Sequence, residues 1–192
     1  MKLVTLKYSA IITALALSLI ACQSGTEYDR LKKSELAKGK RVDSLFFGIH
    51  LGMERKQFFA KCWELNKQGI FTDGSNNTSV LHKLNTELKH PASMDFYPDF
   101  VNGKISRMKV SYKYDGWAPW NKSLWSDSLL PDVLQMLSKS YPGNDFITMT
   151  NANQQTIHVK IDGNRRITVG RFNDYTVKAD IADLLVEPET KK

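Results

Sequence analysis

Apolar residues recur along the chain at spacings that predict both helices and strands. Over residues 53–68 they lie three and four positions apart, which is typical of a helix with one buried face. The same spacing over residues 129–141 predicts a second helix, which Asp127 or Ser128 could cap. Each of these helices therefore needs one apolar surface to cover it.

Alternating apolar and polar residues after each helix predict antiparallel strands. The clearest case is a hairpin over residues 93–114, with Asn102-Gly103 as a type I′ turn. We expect further strands over residues 45–49, 79–84, 146–150, 156–161, 167–172 and 175–181. In the strand 156–161 we expect Ile157, Val159 and Ile161 to face the helices and His158 to face solvent.

The order of these elements predicts an α+β fold built from a pseudo-duplicated unit of one helix followed by antiparallel strands. Because each helix has one apolar stripe and each strand alternates, we expect the two helices to pack on one face of a single antiparallel sheet. The sequence predicts one such domain over residues 44–186, followed by a polar tail at 187–192.

The first 21 residues have the pattern of an export signal. Lys2 and Lys7 precede an apolar run of about 14 residues, whereas about 20 residues are needed to span a bilayer. The run ends in Leu19-Ile20-Ala21-Cys22, which resembles the lipobox of bacterial lipoproteins. The resemblance implies cleavage between Ala21 and Cys22 and acylation of Cys22 with palmitate-type chains. The alternatives are an ordinary secretory signal with a chance cysteine and a buried N-terminal helix.

This resemblance also implies a location. Gln23 stands where an aspartate would retain an enteric lipoprotein at the inner membrane, so we expect a lipid-anchored protein of the cell envelope, sorted to the outer membrane. Residues 22–43 are predicted to be the lipidated cysteine and a flexible tether, transiently helical around Glu27 to Lys38, because they have few large apolar side chains.

The start of the domain carries a second resemblance. Residues 47–53, Phe-Gly-Ile-His-Leu-Gly-Met, are similar to the segment that opens the first helix in small SmpA/OmlA-type envelope lipoproteins and in the repeats of β-lactamase inhibitor protein. The resemblance implies an α+β envelope module, and it assigns no functional residue.

Charge and cysteine content limit the classes of partner. Without residues 1–21 the formal net charge falls from +7 to +5, which suits anionic lipid or polysaccharide better than nucleic acid in an exported protein. Cys62 is the remaining thiol once Cys22 is acylated, so no intramolecular disulfide is expected. We interpret Cys62 as a small buried apolar residue, with a reactive thiol as the alternative.

Motifs that would indicate catalysis, a metal or a cofactor are missing from the sequence, and we predict none of the three. The sequence has no HExxH, CxxC or GxSxG motif and no phosphate-binding glycine loop. The four histidines are scattered without metal-ligand spacing: His50, His82, His90 and His158. A hydrolase whose site is assembled from distant residues stays open as a hypothesis.

Two groups of side chains are candidates for ligand binding. An aromatic group lies near the connection between the halves and could stack on sugars, anchor a partner protein or form a packed lid: Tyr112, Tyr114, Trp117, Trp120 and Trp125. A basic group could line the polar face of the sheet or form an ordinary solvated surface: Arg107, Lys109, Lys113, Lys160, Arg166 and Lys178.

The sequence therefore predicts a non-enzymatic binding or assembly module held at the membrane by its lipid anchor, with a glycan or an envelope protein as partner. A carbohydrate-binding surface lipoprotein that uses the aromatic loop 112–125 is the first alternative, and the hydrolase is the second.

Overall fold

The computed structural model describes residues 26–74 and 78–186. The predicted signal, Ala21, Cys22 and the polar tail lie outside these ranges. Three α-helices are described, α1 (Glu27–Ala37), α2 (Arg55–Lys67) and α3 (Ser126–Ser140), with a 3₁₀ turn at Lys122–Leu124. No helix in the described ranges is both long enough and apolar enough to span a bilayer.

Eight strands form one antiparallel sheet in the order β1-β2-β3-β4-β8-β7-β6-β5. The strands are β1 (Thr72–Asp73), β2 (Val80–Leu84), β3 (Ala92–Val101), β4 (Lys104–Tyr114), β5 (Ile147–Thr150), β6 (Thr156–Asp162), β7 (Arg165–Asn173) and β8 (Thr176–Asp183). The α+β class is therefore confirmed, with the sheet as its larger part.

The predicted hairpin is confirmed in its turn and in its register. Asn102 and Gly103 both have positive φ, 51° and 76°, as a type I′ turn requires. The turn joins β3 to β4, and the alternating residues of β4 from Met108 to Tyr114 are buried. In the middle of the sheet, Val110 of β4 lies opposite Ala179 of β8.

The sheet has a core face and an outer face, which the register defines. On the core face Val110 is opposite Ala179, and Ala179 is opposite Val169. The main hydrophobic core combines such strand residues with helix residues that include Phe58, Leu65, Leu129, Val133 and Leu137. On the outer face, Lys109 is opposite Asp180 and Ser111 is opposite Lys178.

The orientation predicted for β6 is wrong. The two-residue turn Gly163-Asn164 sets Lys160 opposite Ile167 and His158 opposite Val169, so the basic residues lie on the core face. Val159 and Ile161 point to the outer face, where they are nevertheless buried. Alternation gives the period of a strand but not which side is covered, and here both sides are covered.

Helix α1 covers that part of the outer face. It lies in the segment for which the sequence predicted a flexible tether. Helix α1 contacts β6, and Arg166, which points from the outer face, donates a 3.3 Å hydrogen bond to the Tyr28 hydroxyl. Glu35 is 4% exposed and accepts hydrogen bonds from the Gly163 amide and the Asn144 side chain. The tether prediction is therefore corrected over Glu27–Ala37.

Two local predictions also need correction. Residues 45–49 form a tight turn rather than a strand, in which Phe47 and Gly48 have positive φ. Helix α3 begins at Ser126, before the predicted caps, because its amide donates a 2.7 Å hydrogen bond to the carbonyl of Asp174.

Candidate functional site

A groove lies on the half of the outer face that α1 leaves uncovered. It has a volume of about 450 Å³, and its lining includes Lys109, Ser111, Ile157, Thr168, Phe172 and Lys178. These residues come from β4, β6, β7 and β8, which the register brings side by side. We call it the outer-face groove.

Lys178 in this groove and Lys113, two residues beyond Ser111 on β4, are held against aromatic rings instead of carboxylates. The Lys178 ammonium lies 3.2 Å from the centre of the Phe172 ring, and the Lys113 ammonium lies 5.4 Å from that of Tyr175. Among the described residues, no carboxylate comes within 4 Å of either lysine. Cation–π contacts position an ammonium group without neutralising its charge. Both charges are therefore available to an anionic ligand.

The remaining charges around the groove are paired. Lys109 lies 2.8 Å from Asp99, and Arg107 lies 3.5 Å from Asp180. Burial raises the pKa of Asp180, although the charges of Arg107 and Arg166 oppose that rise. Arg171, which also lines the groove, pairs with Asp127. The unpaired positive charge therefore comes from Lys178 in the groove and Lys113 beside it.

The basic group predicted from the sequence is brought together except for one member. Arg107, Lys109, Lys113, Arg166 and Lys178 all point to the outer face by the register of the sheet. Lys160 was wrongly included. Its side chain lies on the core face, where it is buried 3.5 Å from Asp162.

The predicted aromatic group divides into buried and accessible rings. Tyr112 and Tyr114 are 2% and 3% exposed, so these rings belong to the core and cannot meet a ligand. Trp125 is half-buried, and its indole donates a 3.2 Å hydrogen bond to the Ala118 carbonyl. Trp117 packs on Tyr175 with ring centres 5.2 Å apart. Trp120 alone of the five is open to solvent, at 86% exposure.

Phe172 and Tyr175 are functional candidates that the sequence reasoning did not select. Phe172 lies near the end of β7 and Tyr175 lies in the Asp174-Tyr175 turn to β8, and their rings reach the lysines of β8 and β4. Two exposed aromatic residues at a tight turn were the available signal. Their meeting with lysines depends on a pairing between strands distant in sequence.

Groups that could support catalysis are dispersed. Asp180 is the one acidic side chain lining the outer-face groove, and no histidine lines it. The hydroxyl groups of the groove, Ser111 and Thr168, therefore have no imidazole base beside them. Elsewhere His158 is half-buried beside Thr148, and burial lowers its pKa. Within the described ranges, no group of three or more acidic, histidine or cysteine side chains is placed to hold a metal ion.

Cys62 lies beside a separate apolar surface on α2. It is half-buried, and with Phe59 and Trp63 it lines a cleft between α2 and β1–β2. Burial raises the pKa of its thiol to about 11, so the thiolate is scarce at neutral pH. This environment favours the interpretation of Cys62 as a packing residue.

Comparison of the chain with protein-family models, with curated proteins and with solved structures finds no match. The two resemblances drawn from short motifs stay predictions.

Proposed function

We propose that this chain is a lipid-anchored protein of the cell envelope, sorted to the outer membrane, which acts as a non-enzymatic binding or assembly module. The lipobox-like sequence Leu19-Ile20-Ala21-Cys22 supports the anchor. Two acyl chains hold a protein at a bilayer stably, whereas one binds only marginally. The anchor would therefore decide where the module works.

The observation that carries the binding role is the outer-face groove with Lys178 in it and Lys113 beside it. Both lysines contact aromatic rings on a surface that packing leaves open and have no carboxylate within 4 Å among the described residues, while most nearby charges are paired. An exposed lysine restrained against a ring retains fewer conformations than a free one, so less entropy is lost when it binds. A binding surface accounts for this arrangement better than a solvated face does.

The same groove supports binding over catalysis. A serine or threonine nucleophile needs a neighbouring base, and the groove lining supplies no imidazole to Ser111 or Thr168. The raised pKa of Asp180 has a structural cause, since the carboxylate is half-buried among Arg107 and Arg166. We therefore propose no reaction at this site.

We also infer that the module is a duplicated unit whose two helices share the core face. Support comes from the order of elements, since α2 precedes β1–β4 and α3 precedes β5–β8. The antiparallel pairing of β4 with β8 joins the last strands of the two units at the middle of the sheet. Apolar residues of both helices belong to one core cluster with Val110 and Ala179. Sharing the core face would leave the outer face free for α1 and the groove.

Metabolic labelling with a palmitate analogue tests the anchor. The wild-type chain should take up label and fractionate with membranes, and Cys22→Ala should abolish both. Cys62→Ala is the matched control, because it removes the other cysteine and should leave labelling unchanged. An unlabelled wild-type chain would refute the lipoprotein assignment.

Carbohydrate binding is the second candidate, and the exposure of Trp120 favours it. An indole that is 86% exposed offers a face on which a sugar ring can stack. Titration with neutral oligosaccharides should then shift the tryptophan emission, and Trp120→Phe should remove the shift. Trp63→Phe, at another exposed tryptophan, should retain it. No shift in the wild type would exclude this candidate.

A further inference from the structure

We infer that the outer face of the sheet lies against the bilayer and that the ligand of Lys113 and Lys178 is the phosphate of anionic lipid headgroups. This inference rests on the proposed lipid anchor and deepens the proposed binding role, since it names the ligand of the same groove. Two independent features lead to it, the position of α1 and the distribution of charge.

Helix α1 places the start of the described chain on the outer face. Glu27 and Arg30 border a shallow pocket with Ile147, while Glu35 binds the Gly163 amide at the other end of the helix. The N-terminal turn of α1 therefore lies near Ile147, which is opposite Val159 on the outer face.

The distance from the helix to the anchor is short. Cys22 precedes Thr26, the N-cap of α1, by four residues. Four residues span at most about 14 Å even when fully extended. An acylated Cys22 would therefore bring the bilayer surface to the same side of the sheet as the outer-face groove.

Charge on this side complements an anionic surface. Besides Lys113 and Lys178, Arg30 and Lys33 are exposed on α1 without a carboxylate within 4 Å among the described residues. Of the acidic residues on the same side, Asp29 caps α1 and Asp99 pairs with Lys109, whereas Glu27 in the first turn of α1 is exposed. Each lysine or arginine near an anionic membrane contributes to binding, and the effect falls off within a Debye length.

Aromatic side chains at the rim favour a lipid surface over a soluble acidic ligand. Phe172 is 59% exposed beside Lys178, and the exposed Trp120 lies in the loop whose Trp117 packs on Tyr175. Aromatic rings next to lysines suit the headgroup region, where rings meet the acyl boundary and ammonium groups meet phosphates. The groove is also open rather than enclosed, as a planar ligand surface requires.

Vesicle sedimentation tests the inference without the anchor. The probe is a chain that starts at residue 22 with Cys22→Ser, which retains every helix and strand described here. It should bind vesicles of phosphatidylglycerol and phosphatidylcholine, bind vesicles of phosphatidylcholine alone only weakly, and lose binding as salt rises. Lys113→Gln with Lys178→Gln should weaken binding to the anionic vesicles about 25-fold, since each lysine contributes about fivefold.

A matched pair of variants keeps the test specific. Lys56→Gln with Lys139→Gln removes the same charge from exposed positions on α2 and α3, and should leave binding nearly unchanged. Circular dichroism establishes that both pairs fold. Equal loss in the two pairs, or equal binding to both kinds of vesicle, would overturn the inference.

Two further outcomes separate the sources of ligand and the two proposals. Binding to a soluble acidic polysaccharide such as alginate, with no preference for anionic vesicles, would assign the groove to a glycan and overturn the lipid assignment. A chain that takes up palmitate but ignores anionic vesicles would keep the anchor and refute the membrane-facing sheet. A chain that binds anionic vesicles but takes up no palmitate would keep the membrane-facing sheet and refute the lipid anchor.

Discussion

The hydroxyl of Tyr114 donates a 2.6 Å hydrogen bond to the carboxylate of Asp132, which joins the end of β4 to α3. Both side chains are buried. Burial is the largest single influence on Asp132 and disfavours its charge, but hydrogen bonds from Tyr114 and Lys89 together outweigh it and lower the pKa of the carboxyl. An aromatic residue predicted to bind ligand thus has a structural role.

Tyr114→Phe should destabilise the protein by about 1.5–3 kcal/mol, the range for a hydrogen bond to a charged group. The substitution leaves a buried carboxylate with one donor fewer, and urea unfolding measures the loss. Tyr175→Phe is the control, because its exposed hydroxyl makes no hydrogen bond among the described residues. Equal effects of the two substitutions would show that the Asp132 contact contributes nothing.

Glu35 should make the attachment of α1 sensitive to acid. Burial would raise its pKa, but hydrogen bonds from Lys38, Gly163 and Asn144 outweigh burial and lower the pKa from 4.5 to about 2. A carboxyl with a lowered pKa stabilises the fold above its unfolded-state pKa and loses that contribution as pH falls through its folded-state value. Wild type should therefore exceed Glu35→Gln in unfolding free energy at pH 6, and the difference should shrink between about pH 4.5 and 2. A difference that is independent of pH would contradict the assignment.

Substitutions in β6 test which face its apolar residues occupy. Ile161 is fully buried on the outer face, in the part that α1 covers, whereas Ile157 is half-buried at the groove. Ile161→Ala should cost about 2–4 kcal/mol and Ile157→Ala clearly less, because the cost rises with the size of the cavity that the truncated side chain leaves. Chemical denaturation of the two variants decides this. A larger loss of stability for Ile157→Ala would mean that α1 does not cover the β6 end that holds Ile161.

Two glycines with similar backbone angles test the contact between the N-terminal segment and the β6–β7 turn. Gly163 has φ +58°, and a Cβ there would lie 2.3 Å from the Lys40 carbonyl oxygen. Gly39 has φ +61° and open space around its Cβ position. Gly39→Ala should therefore cost only the left-handed backbone penalty of about 1–2 kcal/mol, and Gly163→Ala distinctly more. Thermal unfolding compares them, and equal losses of stability would argue against the Lys40 contact.

Local patterns were sufficient to predict the hairpin and the second helix. Asn102-Gly103 and the alternation after it depend on neighbouring residues alone, as does the helical spacing from Leu129 to Tyr141. Local patterns could not predict which side of β6 faces the core. Val159 and Lys160 are both buried, and in a strand buried on both sides the alternation of apolar and polar residues does not mark the core side.

The stable packing of helix α1 was missed for a related reason, since the sequence indicated only a transient helix there. Its most buried residue is Glu35, a charged side chain that sequence patterns assign to solvent, and hydrogen bonds from Lys38, Asn144 and Gly163 make its burial tolerable. Two of these three donors come from distant parts of the chain. The candidate site could not be predicted from local patterns either. The cation–π contacts of Lys113 and Lys178 depend on how β7 and β8 turn beside β4.

Lysine reactivity in native membranes tests the central claim, that the outer face is the binding surface. Isolated membranes and detergent-extracted protein would be acetylated with an amine reagent, and each lysine quantified by mass spectrometry. Lys113 and Lys178 should be severalfold less reactive in membranes, while Lys56 and Lys139, exposed on α2 and α3, should react alike in both. Protection of Lys56 and Lys139 with Lys113 and Lys178 left reactive would contradict the account.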